Sequence, residues 1–299
     1  MRCLIGLTVL LLSLLPVGAA EQERELSIGA HAVLATLRTP VSMGPDTPLI
    51  VITHGTLAHK DMETIQGLAK ALAERGIGSL SHTLSLGLDR RKGMYDCAVR
   101  HDHLADDAIA EIEAWVAAAK SLSPRVYVLG HSRGANQVAR YLKARPDAPV
   151  RAAMMLAPAT ASVEAALRAS YLSTYGAPLD PLLKEAIANI AAGRGGEWMS
   201  VPGFIYCRNS VVTARAFASF YTTDARQDTA GLVAGLKLPV LVLAAAKDTT
   251  VPDVAASFAP LARSEKVRLE TIEGADHFFL DLAADDVADR IAEFIKQVP

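Results

Sequence analysis

The chain has 299 residues, 51% of them hydrophobic, enough to bury a large core in one α/β domain that carries an insertion. Its 30 basic and 32 acidic residues leave a formal net charge of −2, with no cationic surplus of the kind that binds nucleic acid. Residues 1–20 read as an export signal: Arg2, an apolar run over 4–15, and small residues up to Ala20, ahead of the charged stretch 21–25. The run is too short to span a bilayer, so cleavage after Ala20 is expected, or next after Ala19, releasing a periplasmic or secreted protein without a membrane anchor. Cys3 leaves with the signal. The remaining pair, Cys97 and Cys207, is expected to form a disulfide in an oxidising compartment.

Residues 26–38 hold two short apolar stretches, read as a leading strand or hairpin, and a Gly-Pro-Asp-Thr-Pro turn follows at 44–48. The β-branched run 49–53 suits a strand buried on both faces, and it ends in His54-Gly55-Thr56, where Gly55 allows the backbone to approach a neighbouring loop closely. Helical spacing of Ile65, Leu68 and Leu72 predicts a helix over 61–75, closed by Gly76. A strand over 77–83, an irregular connection over 84–100 and a second helix over 104–120 come next. His101-Asp102-His103 has a metal-like look, but no third His or Cys stands at a supporting spacing, and a role at the start of that helix is expected instead.

Strand-like residues 126–129 then break into Gly130-His131-Ser132-Arg133-Gly134, and a helical segment over 135–143 follows at once. Strand, sharp turn and helix are the context in which G-x-S-x-G carries chemistry, because the strained turn lifts the serine hydroxyl above the edge of the sheet. A further strand is expected at 150–156. Strand and helix alternation stops over 157–236, a stretch that holds half of the chain's aromatic residues, and resumes with strands at 238–246 and 267–272 and helices at 254–261 and 285–298. The expected organisation is a signal over 1–20, a core in two parts, 21–157 and 236–299, and a mainly helical cap insertion over 158–235.

A serine hydroxyl is a weak nucleophile until a base takes its proton, and the base needs a partner that fixes its tautomer. In the order serine, acid, histidine, the candidates are Asp248, just beyond the strand at 238–246, and His277, just beyond the strand at 267–272. Two rival acids are weaker: Asp276 adjoins His277 and its side chain should point elsewhere, and Asp253 is placed to cap a helix. His54 is expected to fix its own loop by hydrogen bonding.

The elbow, the His54-Gly55-Thr56 loop and these downstream residues resemble the α/β-hydrolase superfamily over about residues 47–299. The resemblance implies an α/β fold, a mostly parallel sheet with helices on both faces, with Ser132 as nucleophile, His277 as base and Asp248 as the acid that orients it. It implies an oxyanion hole built from the backbone N–H groups of Thr56 and Arg133. Arg133 departs from the small or apolar residue common at that place, and its charge either sits by the crevice or pairs with a carboxylate. The implied activity is a serine hydrolase acting on a small-molecule ester-like substrate, with no metal or organic cofactor. An amidase, peptidase or lactonase using the same residues, a haloperoxidase-like activity without cofactor, and a binding protein of this fold are the alternatives. The cap's aromatic residues are expected either to contact apolar substrate or to form the insertion's own core.

Overall fold

The computed structural model describes residues 20–298, so the expected export signal, apart from Ala20, lies outside the described residues. The first part of the core runs β1 (Ala20–Ile28), β2 (His31–Thr39), β3 (Leu49–Thr53), α1 (Glu63–Glu74), β4 (Gly78–His82), α2 (Asp107–Leu122), β5 (Val126–His131), α3 (Arg133–Ala144) and β6 (Ala153–Leu156). The insertion contains α4 (Ala161–Ala169), α5 (Tyr171–Tyr175), α6 (Leu179–Ala191), β7 (Trp198–Phe204), β8 (Cys207–Thr213), α7 (Ala214–Tyr221) and α8 (Thr229–Ala234). The core then resumes with β9 (Val240–Ala245), α9 (Val254–Phe258), β10 (Val267–Ile272) and α10 (Leu282–Gln297).

Eight strands form one sheet in the order β1-β2-β4-β3-β5-β6-β9-β10. The six from β4 to β10 run parallel, whereas β1 and β2 are an antiparallel hairpin that extends the edge. Because side chains alternate across a strand, each apolar run supplies two faces at once. Leu49, Val51, Val126 and Val128 pack under α2 and α3 against Ile112, Trp115 and Val138. Ile50, Ile52, Tyr127 and Leu129 pack on the other side against Ile65 and Leu68 of α1 and Ile291 and Phe294 of α10.

Helices dominate the insertion, as expected, but the antiparallel hairpin β7–β8 is an addition that periodicity does not reveal. Pro202 and Gly203 interrupt its first strand and Arg208-Asn209-Ser210 its second. The hairpin forms because Met199, Val201, Phe204 and Val212 bury against Tyr171 and Phe217, giving the cap a core of its own.

Three links tie the insertion to the connection before α2. Cys97 and Cys207 are bonded, with Cα atoms 5.2 Å apart. The His101 N–H donates to the Val211 carbonyl at 2.8 Å and the Thr213 N–H to the His101 carbonyl at 3.0 Å, so the connection lies alongside β8 like a short strand. Asp102 accepts from Thr213 Oγ1 at 2.6 Å and pairs with Arg215 at 2.5 Å. His101-Asp102-His103 therefore does not start a helix, which is a correction: α2 begins at Asp107, whose carboxylate accepts from the Leu104 N–H at 2.7 Å. Both imidazoles are buried instead among Tyr95, Phe204 and Phe220.

Candidate active site

The sheet order sets the location of the site. From β3 the chain passes to β4 on one side and then returns to β5 on the other, so the connections leaving β3 and β5 diverge and open a crevice at their carboxyl ends. The loop 54–56 leaves β3 there, and the Ser132 turn leaves β5 beside it. Ser132 has φ 56° and ψ −124°, a strained backbone state for a residue with a side chain, worth about 1–3 kcal/mol. The flanking glycines make the turn possible: a Cβ on Gly130 would lie 2.4 Å from the Ala135 backbone, and one on Gly134 would lie 2.3 Å from the His54 carbonyl oxygen. The close packing at Gly134 also holds the elbow against the 54–56 loop.

The loops after β9 and β10 bring in the other two residues. His277 Nε2 is 3.0 Å from Ser132 Oγ, and its Nδ1 is 2.8 Å from Asp248 Oδ2. Since a carboxylate only accepts, Nδ1 carries the proton and the Nε2 lone pair faces the hydroxyl. Asp248 Oδ1 accepts from the amides of Thr250 and Val251 at 2.7 and 2.8 Å, which fixes the carboxylate's orientation. Burial alone raises the Asp248 pKa, but the hydrogen bonds from His277 and those two amides outweigh it and hold the carboxyl below its ordinary range. Asp248 is thus an anion aimed at an imidazole, and a proton has a continuous path from hydroxyl to ring.

Two further imidazoles stand close by, both kept neutral. His131 Nε2 donates to the His277 carbonyl at 2.8 Å, and its ring centroid lies 4.9 Å from that of His277. Burial first, then the neighbouring His277, lowers the His131 pKa to about 4. His54 Nδ1 donates to the Gly55 carbonyl at 2.7 Å, while Nε2 accepts from the Leu84 N–H at 3.0 Å and from Arg91 at 3.2 Å. Burial, followed by the Arg91 charge, holds its pKa well below the usual histidine range. Arg91 also donates to the Ala58 carbonyl at 2.6 Å, so the irregular connection braces the 54–58 loop from behind.

The backbone amides expected to face a developing oxyanion occupy two ends. Arg133 is the first residue of α3, where helical N–H groups have no intrahelical partner, and Thr56 lies in the loop packed against it. The Arg133 side chain links them. Its Nε donates to Thr56 Oγ1 at 3.1 Å, and its Nη2 pairs at 2.8 Å with Glu164 of α4, the carboxylate being 8% exposed. Of the two dispositions open to Arg133 in the sequence, it adopts both, pairing with a carboxylate at the edge of the crevice.

The rival acids are engaged elsewhere. Asp276 accepts from the Phe278 N–H at 2.9 Å, and Asp253 from the hydroxyls of Thr160, Ser162 and Ser257, so it ties the start of the cap to α9 rather than capping that helix. Among the described residues no group of three or more His, Cys, Asp or Glu is placed to hold a metal ion. His131, Arg91 and Glu164 went unnoticed in the sequence, since each acts through a partner at least 31 positions away for which no local spacing is a signal.

Comparisons with known proteins place this geometry in a family. The model described as the Alpha/beta hydrolase family matches residues 50–290, and the chain belongs to that family. A search of the curated proteins found no match. Among solved structures, the chain is similar to Est1E from Butyrivibrio proteoclasticus with ferulic acid bound, at TM-score 0.67 and 21% identity over 92% of this chain and 98% of that one. It is similar also to the alpha/beta hydrolase GrgF from Penicillium sp. sh18, at TM-score 0.66 and 17% identity over 93% and 99% of the two chains. A third is the Pyrococcus furiosus esterase Pf2001, at TM-score 0.61 and 15% identity over 94% and 92%. At these identities the likeness is one of fold.

Proposed function

We propose that this protein is an exported serine hydrolase that cleaves carboxylic esters of small molecules through an acyl-enzyme on Ser132. The observation that carries the reading is the unbroken chain Ser132 Oγ, His277 Nε2, His277 Nδ1, Asp248 Oδ2, with contacts of 3.0 and 2.8 Å at the rim of the sheet. Ser132 Oγ attacks the ester carbonyl carbon as its proton passes to His277 Nε2, and the C–O bond to the alcohol breaks as that proton is returned to the leaving oxygen. A water then gives its proton to the same nitrogen, its oxygen attacks the acyl carbon, and the acid departs as Ser132 regains its hydrogen. Asp248 steadies the transient imidazolium. The amides of Thr56 and Arg133 receive the charge on the carbonyl oxygen, where loss of one such donor typically costs about a hundred- to a thousandfold in rate.

Solved neighbours described as esterases, from Pyrococcus furiosus and Rhodothermus marinus, are consistent with ester chemistry. Export is supported by the signal-like start of the chain and the Cys97–Cys207 bond, and residues 158–235 are read as the cap over the crevice. The test is labelling with a fluorophosphonate, together with hydrolysis of matched short ester and amide substrates. Labelling that vanishes in Ser132→Ala and ester turnover well above amide turnover are expected. An unlabelled wild-type protein sinks the catalytic reading and favours a binding protein; faster amide cleavage moves the substrate class to amides.

A further inference from the structure

The insertion and Arg133 line a cavity of about 220 Å³. Ser132 and His277 are not in its walls; Arg133 belongs to both places, its backbone following Ser132 and its side chain entering the cavity. The residue that follows Ser132 therefore reaches into this space. Its walls are mostly apolar: Leu167, Tyr175, Ile205, Phe220 and Tyr221 contribute. A cavity of roughly 150 Å³ already admits benzene, so this one has room for a single ring with a few further atoms, less than a whole drug-sized ligand.

Charge on these walls is unbalanced. The Tyr175 hydroxyl donates to the Ile205 carbonyl and the Tyr221 hydroxyl accepts from the Ile205 N–H, so both are spent on the cap itself. Glu164 is spent on Arg133, over whose guanidinium the Phe220 ring lies at 5.9 Å. Arg168, one turn along α4, also lines the cavity; its Nη1 donates to Gln227 Oε1 at 2.8 Å, and no carboxylate lies within ion-pair distance of it among the described residues. Two guanidiniums face one carboxylate, so the wall has a net positive charge beside an apolar slot. A guanidinium with further N–H groups in the wall of an apolar slot is the arrangement that receives a carboxylate.

We propose that this cavity binds one half of the substrate, a group of about one aromatic ring carrying a carboxylate, with the carboxylate at Arg168. The proposal rests on the ester-hydrolase reading and names its substrate class. The test compares kcat/KM for 4-nitrophenyl 4-carboxybenzoate with that for 4-nitrophenyl benzoate, because the ratio is unmoved by a general loss of activity. A ratio of about ten or more is expected in the wild-type protein, in line with a charged hydrogen bond. It should fall toward one in Arg168→Gln and stay above one in Arg168→Lys. A wild-type ratio at or below one, or a ratio unchanged in Arg168→Gln, overturns the proposal. If neither ester is cleaved and fluorophosphonate leaves Ser132 unlabelled, it is the hydrolase reading that has failed. Calorimetric titration of the Ser132→Ala protein with the monophenyl ester of benzene-1,4-dicarboxylate then decides the site separately. Binding at least tenfold weaker in the Ser132→Ala, Arg168→Gln double variant supports it, and equal or undetectable binding overturns it.

Discussion

Replacing Glu164 by alanine tests whether the insertion is coupled to the loop proposed to hold the oxyanion. The carboxylate is 8% exposed and the Arg133 guanidinium 17%, and they meet at 2.8 Å. Removing one member of a fully buried pair costs about 3–5 kcal/mol, because the other charge is left without a partner. Arg133 keeps some contact with water and its bond to Thr56 Oγ1, so a smaller loss of about 2–3 kcal/mol is expected. For a chain of this size that corresponds to a fall in Tm of roughly 3–5 °C. The kinetic consequence follows from the same contacts. Arg133 Nε holds Thr56 by its hydroxyl, and with the tether loosened the Thr56 amide is less firmly aimed, although it remains present. A drop in kcat of about tenfold on a short acetate ester is expected, well short of the hundred- to thousandfold typical of a deleted donor. Glu164→Gln, which keeps an acceptor oxygen, should lose less on both measures. Differential scanning calorimetry and initial rates on the three proteins provide the assay. An alanine variant that matches the wild-type protein in both Tm and kcat would refute the coupling.

Asp248→Asn retains an oxygen for the Thr250 and Val251 amides but turns the His277 tautomer around, so kcat should fall by about four orders of magnitude with the fold intact by circular dichroism; a loss under tenfold would remove Asp248 from the relay. The Cys97–Cys207 bond closes a separation of 110 residues, for which chain entropy gives about 4–5 kcal/mol, so urea unfolding with and without reductant should separate by about that amount, and coincident curves would refute the estimate. Stability should fall on acidification from about pH 6.5: burial lowers His82 and His103 to about 3 and His101 and His131 to about 4, so the unfolded chain takes up their protons first. Glu111, pushed up to about 7 mainly by burial, works in the opposite sense, because its folded form holds a proton the unfolded form has released; one carboxyl against four imidazoles does not reverse the slope, and a Tm that rises between pH 6.5 and 5 would contradict this.

The centre of the parallel core was legible because β3, β5, β6 and β9 are short buried runs rich in apolar residues, as in Leu49–Thr53. The motif at Ser132 located the crevice, and chain order then pointed to Asp248 and His277, residues that the fold brings into hydrogen-bonding contact. Less was legible in the cap. Its hairpin lacks strict alternation, since Pro202 and Asn209 sit within the two strands and the stabilising contacts come from Phe217 and Tyr171 on other elements. The burial of His101 and His103 was hidden for a similar reason: their neighbour Phe204 arrives from the far side of the disulfide. The aromatic residues of the insertion build its own core around Phe204 and Phe217, and Tyr175 and Phe220, packed against that core, also line the cavity.

Two imidazoles, His131 and His277, meet beside Ser132, and in the proposed relay only one of them takes the proton. A second cation at His131, whose ring centroid is 4.9 Å from that of His277, would disfavour protonation of His277 at the step where it must accept from Ser132. Burial removes that competition at His131. Neutrality also fixes each ring's duties. His131 must keep its hydrogen on Nε2 to hold the His277 carbonyl, and His54 must keep its hydrogen on Nδ1 so that Nε2 can accept from Leu84 and Arg91. The same desolvation that lowers acid stability therefore keeps His131 neutral beside the imidazole that faces a carboxylate.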